Sequence, residues 1–93
     1  MAGAAGLRCQ LGCHVGETSI LSAAGRHFAS SGPELAYLEG SFSPYLFARE
    51  PVVQPVVFEH GGLAPGLSGP GLGIEVLDQT LHDFSVSHHQ FTA

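Results

Sequence analysis

The sequence predicts an α/β chain: a strand–turn–helix unit in the first third, then a longer irregular segment with only short extended pieces. Three observations carry this. Apolar residues alternate from Leu7 to Val15, as on one face of a strand. They then recur with helical period between Ser19 and Ser30. Thirteen glycines and six prolines make up about a fifth of the 93 residues, against roughly 12% in an average protein.

Residues 1–6 are small and read as a flexible lead. In LRCQLGCHV the odd positions Leu7, Cys9, Leu11, Cys13 and Val15 share one strand face. Gly16 turns the chain, and Thr18 or Ser19 caps the helix that follows. Ile20, Leu21, Ala24 and Phe28 form its apolar stripe. Gly32 suits a left-handed position past the helix end, and Pro33 blocks continuation. Leu35–Glu39 is a candidate strand. Pro44, Pro51 and Pro55 leave short extended pieces near Tyr45–Phe47 and Val56–Glu59. The run from Gly61 to Gly73 is loop, because glycine frees φ and proline fixes it. Ile74–Leu77 reads as a short strand, Asp78 as the cap of a brief helix ending at Phe84, and residues 85–93 as a tail. No internal repeat is present.

Composition excludes several classes. The formal net charge is −5, and the three cations are Arg8, Arg26 and Arg49, with no lysine. A nucleic-acid footprint needs clustered cations, so none is expected. A lysine base or Schiff base within this chain is excluded. Hydrophobic residues at 44% and charged residues at 12% argue against a wholly disordered chain. No run approaches the roughly 18–20 apolar residues that span a bilayer, and residues 1–6 lack the charged and leucine-rich parts of a secretory leader. A cytoplasmic protein with Cys9 and Cys13 reduced is expected.

Few residues point to chemistry. Glu17 sits where the strand meets the helix, and in α/β folds catalytic groups collect at the C-terminal ends of strands. A carboxyl there can hold or donate a proton; the structural alternative is that it merely supports the first helical turn. His14 is either a pocket residue or a histidine packed beneath a helix, and Thr18 completes the turn as a second substrate-binding candidate. Cys9, Cys13 and His14 match no zinc spacing, and cysteines on an apolar face act as small hydrophobes, so no metal site is expected. His27 and His60 have no evident partners, and His88 and His89 read as a solvated tail. Gly69-Pro-Gly-Leu-Gly73 is not a dinucleotide loop: the third glycine comes one residue early and the segment leads into a strand.

The order of these pieces is nonetheless informative. LGCHVGETSILSAAGRHFASSG, then LAYLEG, then VVFEHGGLAP, then GPGLGIEV with an acidic short helix, resembles the C-terminal end of the mandelate racemase/muconate lactonizing group of the enolase superfamily, over roughly residues 7–84. The resemblance implies a C-terminal fragment of a (β/α) barrel. Residues 7–32 would be its last strand and helix, and residues 33–93 a tail returning to a capping domain.

It implies removal of the proton α to the carboxylate of a small substrate, with bound Mg²⁺ stabilising the enediolate. This is the chemistry of racemases, cycloisomerases and dehydratases. Glu17 matches the strand-end acid that hydrogen-bonds or protonates the substrate carboxylate oxygen. The family's metal ligands and its bases, commonly lysines, lie on strands upstream of anything present here. Eight strand–helix units need about 250 residues. The chain is therefore expected to be inactive alone and to bind no Mg²⁺ by itself, and self-association into a homo-oligomer is compatible with its exposed edges. Two other readings stand beside this one: a small non-catalytic protein-interaction module, and a self-contained enzyme using Glu17 and His14 as an acid/base pair.

Overall fold

A computed structural model describes residues 1–32, 34–64 and 66–92. After a 3₁₀ turn at Gly3–Ala5 come β1 (Cys9–Leu11), α1 (Ser19–Ser31), β2 (Leu35–Leu38), α2 (Ser43–Leu46), a second 3₁₀ turn at His60–Gly62, and α3 (Asp78–Phe84). The strands pair in parallel, Cys9 with Leu35, Gln10 with Tyr37 and Leu11 with Leu38, with an irregularity between Cys9 and Gln10. Parallel neighbours need a long crossover, and α1 supplies it. The architecture is thus a small α/β unit of two parallel strands and three α-helices, not a closed barrel.

Several expectations change. The helix at residues 19–31 and the strand near 35–38 form as the residue patterns predict. However, β2 joins β1 in one sheet, so residues 35–38 continue the strand–helix unit beyond position 32. The strand face shrinks to its centre: Cys9, Leu11 and Cys13 are half-buried, whereas Leu7 and Val15 are exposed. Tyr45 lies in a short helix, not an extended piece. Pro44 sits in the first turn of that helix, where its fixed φ fits and no N–H is needed. Ile74–Leu77 contributes one antiparallel bridge, Val76 to Val52, instead of a strand. Asp78 is the first residue of α3, and Leu77 holds the cap position. Residues 3–5 are wound into a 3₁₀ turn. Pro33 lies outside the described residues.

Gly32 departs from expectation in an instructive way. Its φ of −96° is not left-handed. A β-carbon there would lie 2.6 Å from the Phe28 carbonyl oxygen, so glycine is required for space and not for the sign of φ.

The face of α1 that is buried is small and polar. Ser19, Ser22 and Ala23 are buried, while Leu21 and Phe28 of the apolar stripe remain 55% and 49% exposed. A two-stranded sheet is too narrow to cover that stripe. The accessible surface is 7223 Å², against about 5,100 Å² for a compact chain of this mass. The radius of gyration is 15.0 Å, against about 12 Å.

The tightest packing sits at the start of α1. Thr18 occupies the cap position without a side-chain cap bond. Instead the buried Glu50, from 31 residues away, accepts the Ser19 N–H at 3.1 Å and the Ser19 hydroxyl at 3.0 Å. The same hydroxyl accepts the Val56 N–H at 2.9 Å. A carboxylate at a helix N-terminus meets unsatisfied N–H groups and the positive end of the helix dipole. Around this node Pro51, Val52 and Val56 are buried.

The C-terminal part is tied to the same arm. Val53 N–H donates to Glu75 O and Leu77 N–H to Pro51 O, each at 2.9 Å. Arg49 pairs with Asp83 at 2.9 Å and lies 5.0 Å from the Phe84 ring centre, fixing α3. The 58–73 segment is held to α1 by Arg26, which donates to Ala64 O at 2.7 Å, and by His27 against Leu72 O at 2.9 Å. Phe58 fills the space beside Gly40, where a β-carbon would come within 2.7 Å of the ring.

Two outcomes follow. Ser19→Ala leaves the buried Val56 N–H without its acceptor and Glu50 with one donor fewer; a loss of about 2–4 kcal/mol is expected, measured as a lowered urea midpoint. Asp83 is held below the ordinary aspartate value of 3.8 by hydrogen bonds from Gln79 and then Arg49. A lowered folded-state pKa gives stabilisation that is present above the unfolded value and lost as pH falls through the folded one. The Asp83 side-chain carboxyl resonance should therefore titrate below 3.8, and Asp83→Asn should remove that acid step.

Candidate functional site

The C-terminal ends of the two strands bring two carboxylates together. Beyond β1, residues 14–17 form a turn in which Glu17 N–H donates to His14 O at 3.2 Å, with Gly16 at φ +94°. That backbone conformation favours glycine. Glu17 Oε1 accepts the His14 N–H at 2.7 Å. The carboxylate therefore folds back on its own turn and does not cap α1. Beyond β2, Glu39 N–H extends the ladder to Leu11 O at 3.0 Å. Its carboxylate accepts Gln10 Nε2 at 2.7 Å and Cys13 N–H at 2.9 Å.

Both acids line a cleft of about 320 Å³ between α1 and the strand ends. Leu11, Leu38, Ala29 and Phe58 give it apolar walls; Cys13, Ser22 and Arg26 also face it. Gly25 permits close approach of helix and sheet, since its β-carbon would sit 3.6 Å from Leu11. The Cys13 thiol is pushed above its ordinary 9.0 by burial first, then by the charges of Glu39 and Glu17. A thiol so placed is a poor nucleophile near neutrality.

Of the three site residues the sequence offered, Glu17, His14 and Thr18, only Glu17 lines the cleft. His14 contributes its backbone N–H and is exposed, not packed beneath a helix. Thr18 is half-buried at the helix cap, where its carbonyl accepts the Ser22 N–H at 3.1 Å. Cys9 and Cys13 are both free thiols. Among the described residues no three His, Cys, Asp or Glu side chains converge as a metal site would require.

Sequence reasoning missed Glu39, Ser22 and Arg26. Glu39 had a usable signal, an acid directly after an apolar strand, as Glu17 is. Ser22 and Arg26 had only their spacing of one helical turn, which by itself says nothing of a cleft.

Two parallel strands joined by a helical crossover, with an acid beyond the C-terminal end of each, define a small α/β unit. The enolase C-terminal domain-like family matches residues 1–80. The chain belongs to that family and is a C-terminal segment of an enolase-superfamily protein. No curated protein and no solved structure matched it. Among the described residues no helix is long and apolar enough to cross a membrane.

The position of Cys13 between two acids gives a direct check. Its alkylation rate by iodoacetamide should rise with pH through a midpoint above 9.0, and Glu39→Gln should bring that midpoint down. A profile indifferent to Glu39→Gln would place the carboxylate elsewhere.

Proposed function

We propose that the chain supplies the proton-handling end of an enolase-superfamily enzyme that removes the proton α to a carboxylate, as a racemase, cycloisomerase or dehydratase does. The observation that supports this best is the pairing of Glu17 and Glu39 at adjacent strand ends in one cleft. When the α C–H bond breaks, electron density moves onto the substrate carboxylate. The Glu17 carboxyl, in its protonated form, can donate a hydrogen bond to the oxygen that gains charge, an interaction stronger in the transition state than in the ground state. Glu39 orients the strand ends by holding Gln10 and the Cys13 N–H.

Magnesium belongs to the complete enzyme by family resemblance, and the donors here do not fit it. Both cleft carboxylates are engaged by protein N–H groups, and no third ligand converges among the described residues. In this proposal the chain works with further barrel strands, which supply the base and the metal ligands and cover the exposed Leu21, Phe28 and Tyr37. Two free cysteines fit a cytoplasmic setting.

The same exposed apolar side chains favour a second reading, a non-catalytic module that docks on another protein. That reading predicts a compact, cooperatively unfolding monomer or a defined heterocomplex.

The test is α-proton exchange in D₂O, followed by proton NMR over a panel of small 2-hydroxy and 2-amino carboxylates with Mg²⁺. Residues 7–84 grafted into a complete enzyme of the superfamily should support exchange, and Glu17→Gln should lower it about 100-fold or more. The 93-residue chain alone should show none. Metal-dependent turnover by the chain alone, lost on Glu17→Gln, would establish a self-contained enzyme; an active graft indifferent to Glu17→Gln would remove the acid from the mechanism.

A further inference from the structure

The turn that carries Glu17 hangs between two carboxylates. On the strand side Glu39 accepts the Cys13 N–H at 2.9 Å. On the helix side Glu50 accepts the Ser19 N–H at 3.1 Å and the Ser19 hydroxyl at 3.0 Å. Between them the turn closes on itself, with Glu17 N–H on His14 O and His14 N–H on Glu17 Oε1. Glu39 lines the cleft; Glu50 does not, and is only 8% exposed.

A buried carboxylate without a cation is costly. Arg49, the neighbour of Glu50 in sequence, is taken by Asp83 in the single ion pair among the described residues. A simpler start to α1 is at hand, because Thr18 occupies the cap position with a side chain suited to it, yet makes no cap bond. A threonine cap would satisfy the helix and leave its place relative to the arm at residues 50–56 unset. Glu50 ties Ser19 to that arm, and the Val56 N–H, donating to the same hydroxyl at 2.9 Å, closes the joint from the arm's other end. Two planar peptide units separate Ser19 from Glu17, so a shift of the joint is passed on to the acid. We propose that Glu50 is a positioning residue for Glu17: it sets the direction in which the Glu17 carboxyl faces the cleft. The inference rests on the proton-handling role given to Glu17 for its purpose, while its geometry is tested without a substrate.

The Glu17 carboxyl can be read through the amide it accepts. In ¹⁵N spectra of the 93-residue chain, followed from neutrality into acid, the His14 amide should show a step that is absent from Glu17→Gln. Glu50→Gln keeps the side-chain shape and an oxygen for the Ser19 N–H but loses the charge and one acceptor. It should remove the His14 step, while the Glu39 amide, bonded to Leu11 O, keeps its shift and shows that the strands stay paired. A His14 step that survives Glu17→Gln or Glu50→Gln overturns the proposal, and so does a lowered urea midpoint with the step intact, which would make Glu50 an ordinary part of the fold. Should Glu50→Gln not fold, hydrogen exchange in the unsubstituted chain decides. The His14 and Ser19 amides should open together with one opening constant; a His14 amide that opens independently of Ser19 overturns the proposal. Loss of α-proton exchange in the grafted enzyme would remove the task of Glu17 and leave this joint standing, so the two failures are told apart.

Discussion

The arrangement depends on one buried hydroxyl. The Ser19 hydroxyl accepts the Val56 N–H and donates a hydrogen bond to Glu50, which also accepts the Ser19 N–H. Three separate stretches of chain meet there: the start of α1, the arm at residues 50–56, and through that arm the bridge to Val76. The carboxylate does for α1 what the Thr18 side chain does not, accepting the buried Ser19 N–H at its start. It also fixes where α1 begins, and so the height at which Glu17 leaves the strand end. With little apolar material in the centre, this polar node supplies the specificity that a larger core would otherwise give.

How much was legible depended on how local each signal was. The α1 period and the apolar LAYL segment are local, and both elements form. Glu17 was legible because it sits at a strand–helix junction within a recognisable order of pieces. Glu50 was not, because its partner lies 31 positions away and nothing around it marks a cap. The buried face of α1 was misread for a related reason. The stripe of Ile20, Leu21, Ala24 and Phe28 is the more apolar face, yet the arm and the sheet meet the helix on its serine and alanine side. Periodicity identifies an amphipathic helix but not what is available to pack on it. The short helix at Ser43–Leu46 was hidden by Pro44, which marks a break in the middle of an element and a start at its first turn.

The electrostatics of the cleft follow from having so few cations. Of the three arginines, with no lysine in the chain, two are held by defined partners. Arg49 secures α3, and Arg26 is divided between Ala64 O and the cavity. The two acids at the strand ends are satisfied by amide donors and not by cations. The residues around the cleft thus carry both signs of charge.

Gly40 has a consequence of its own. The Phe58 ring lies where a side chain at position 40 would begin. Any larger residue there would push the ring outward, breach the cleft wall and admit water to the guanidinium. The shape of the cleft is thereby governed from a residue outside its lining, and drift at position 40 would change that shape while leaving every polar group in place.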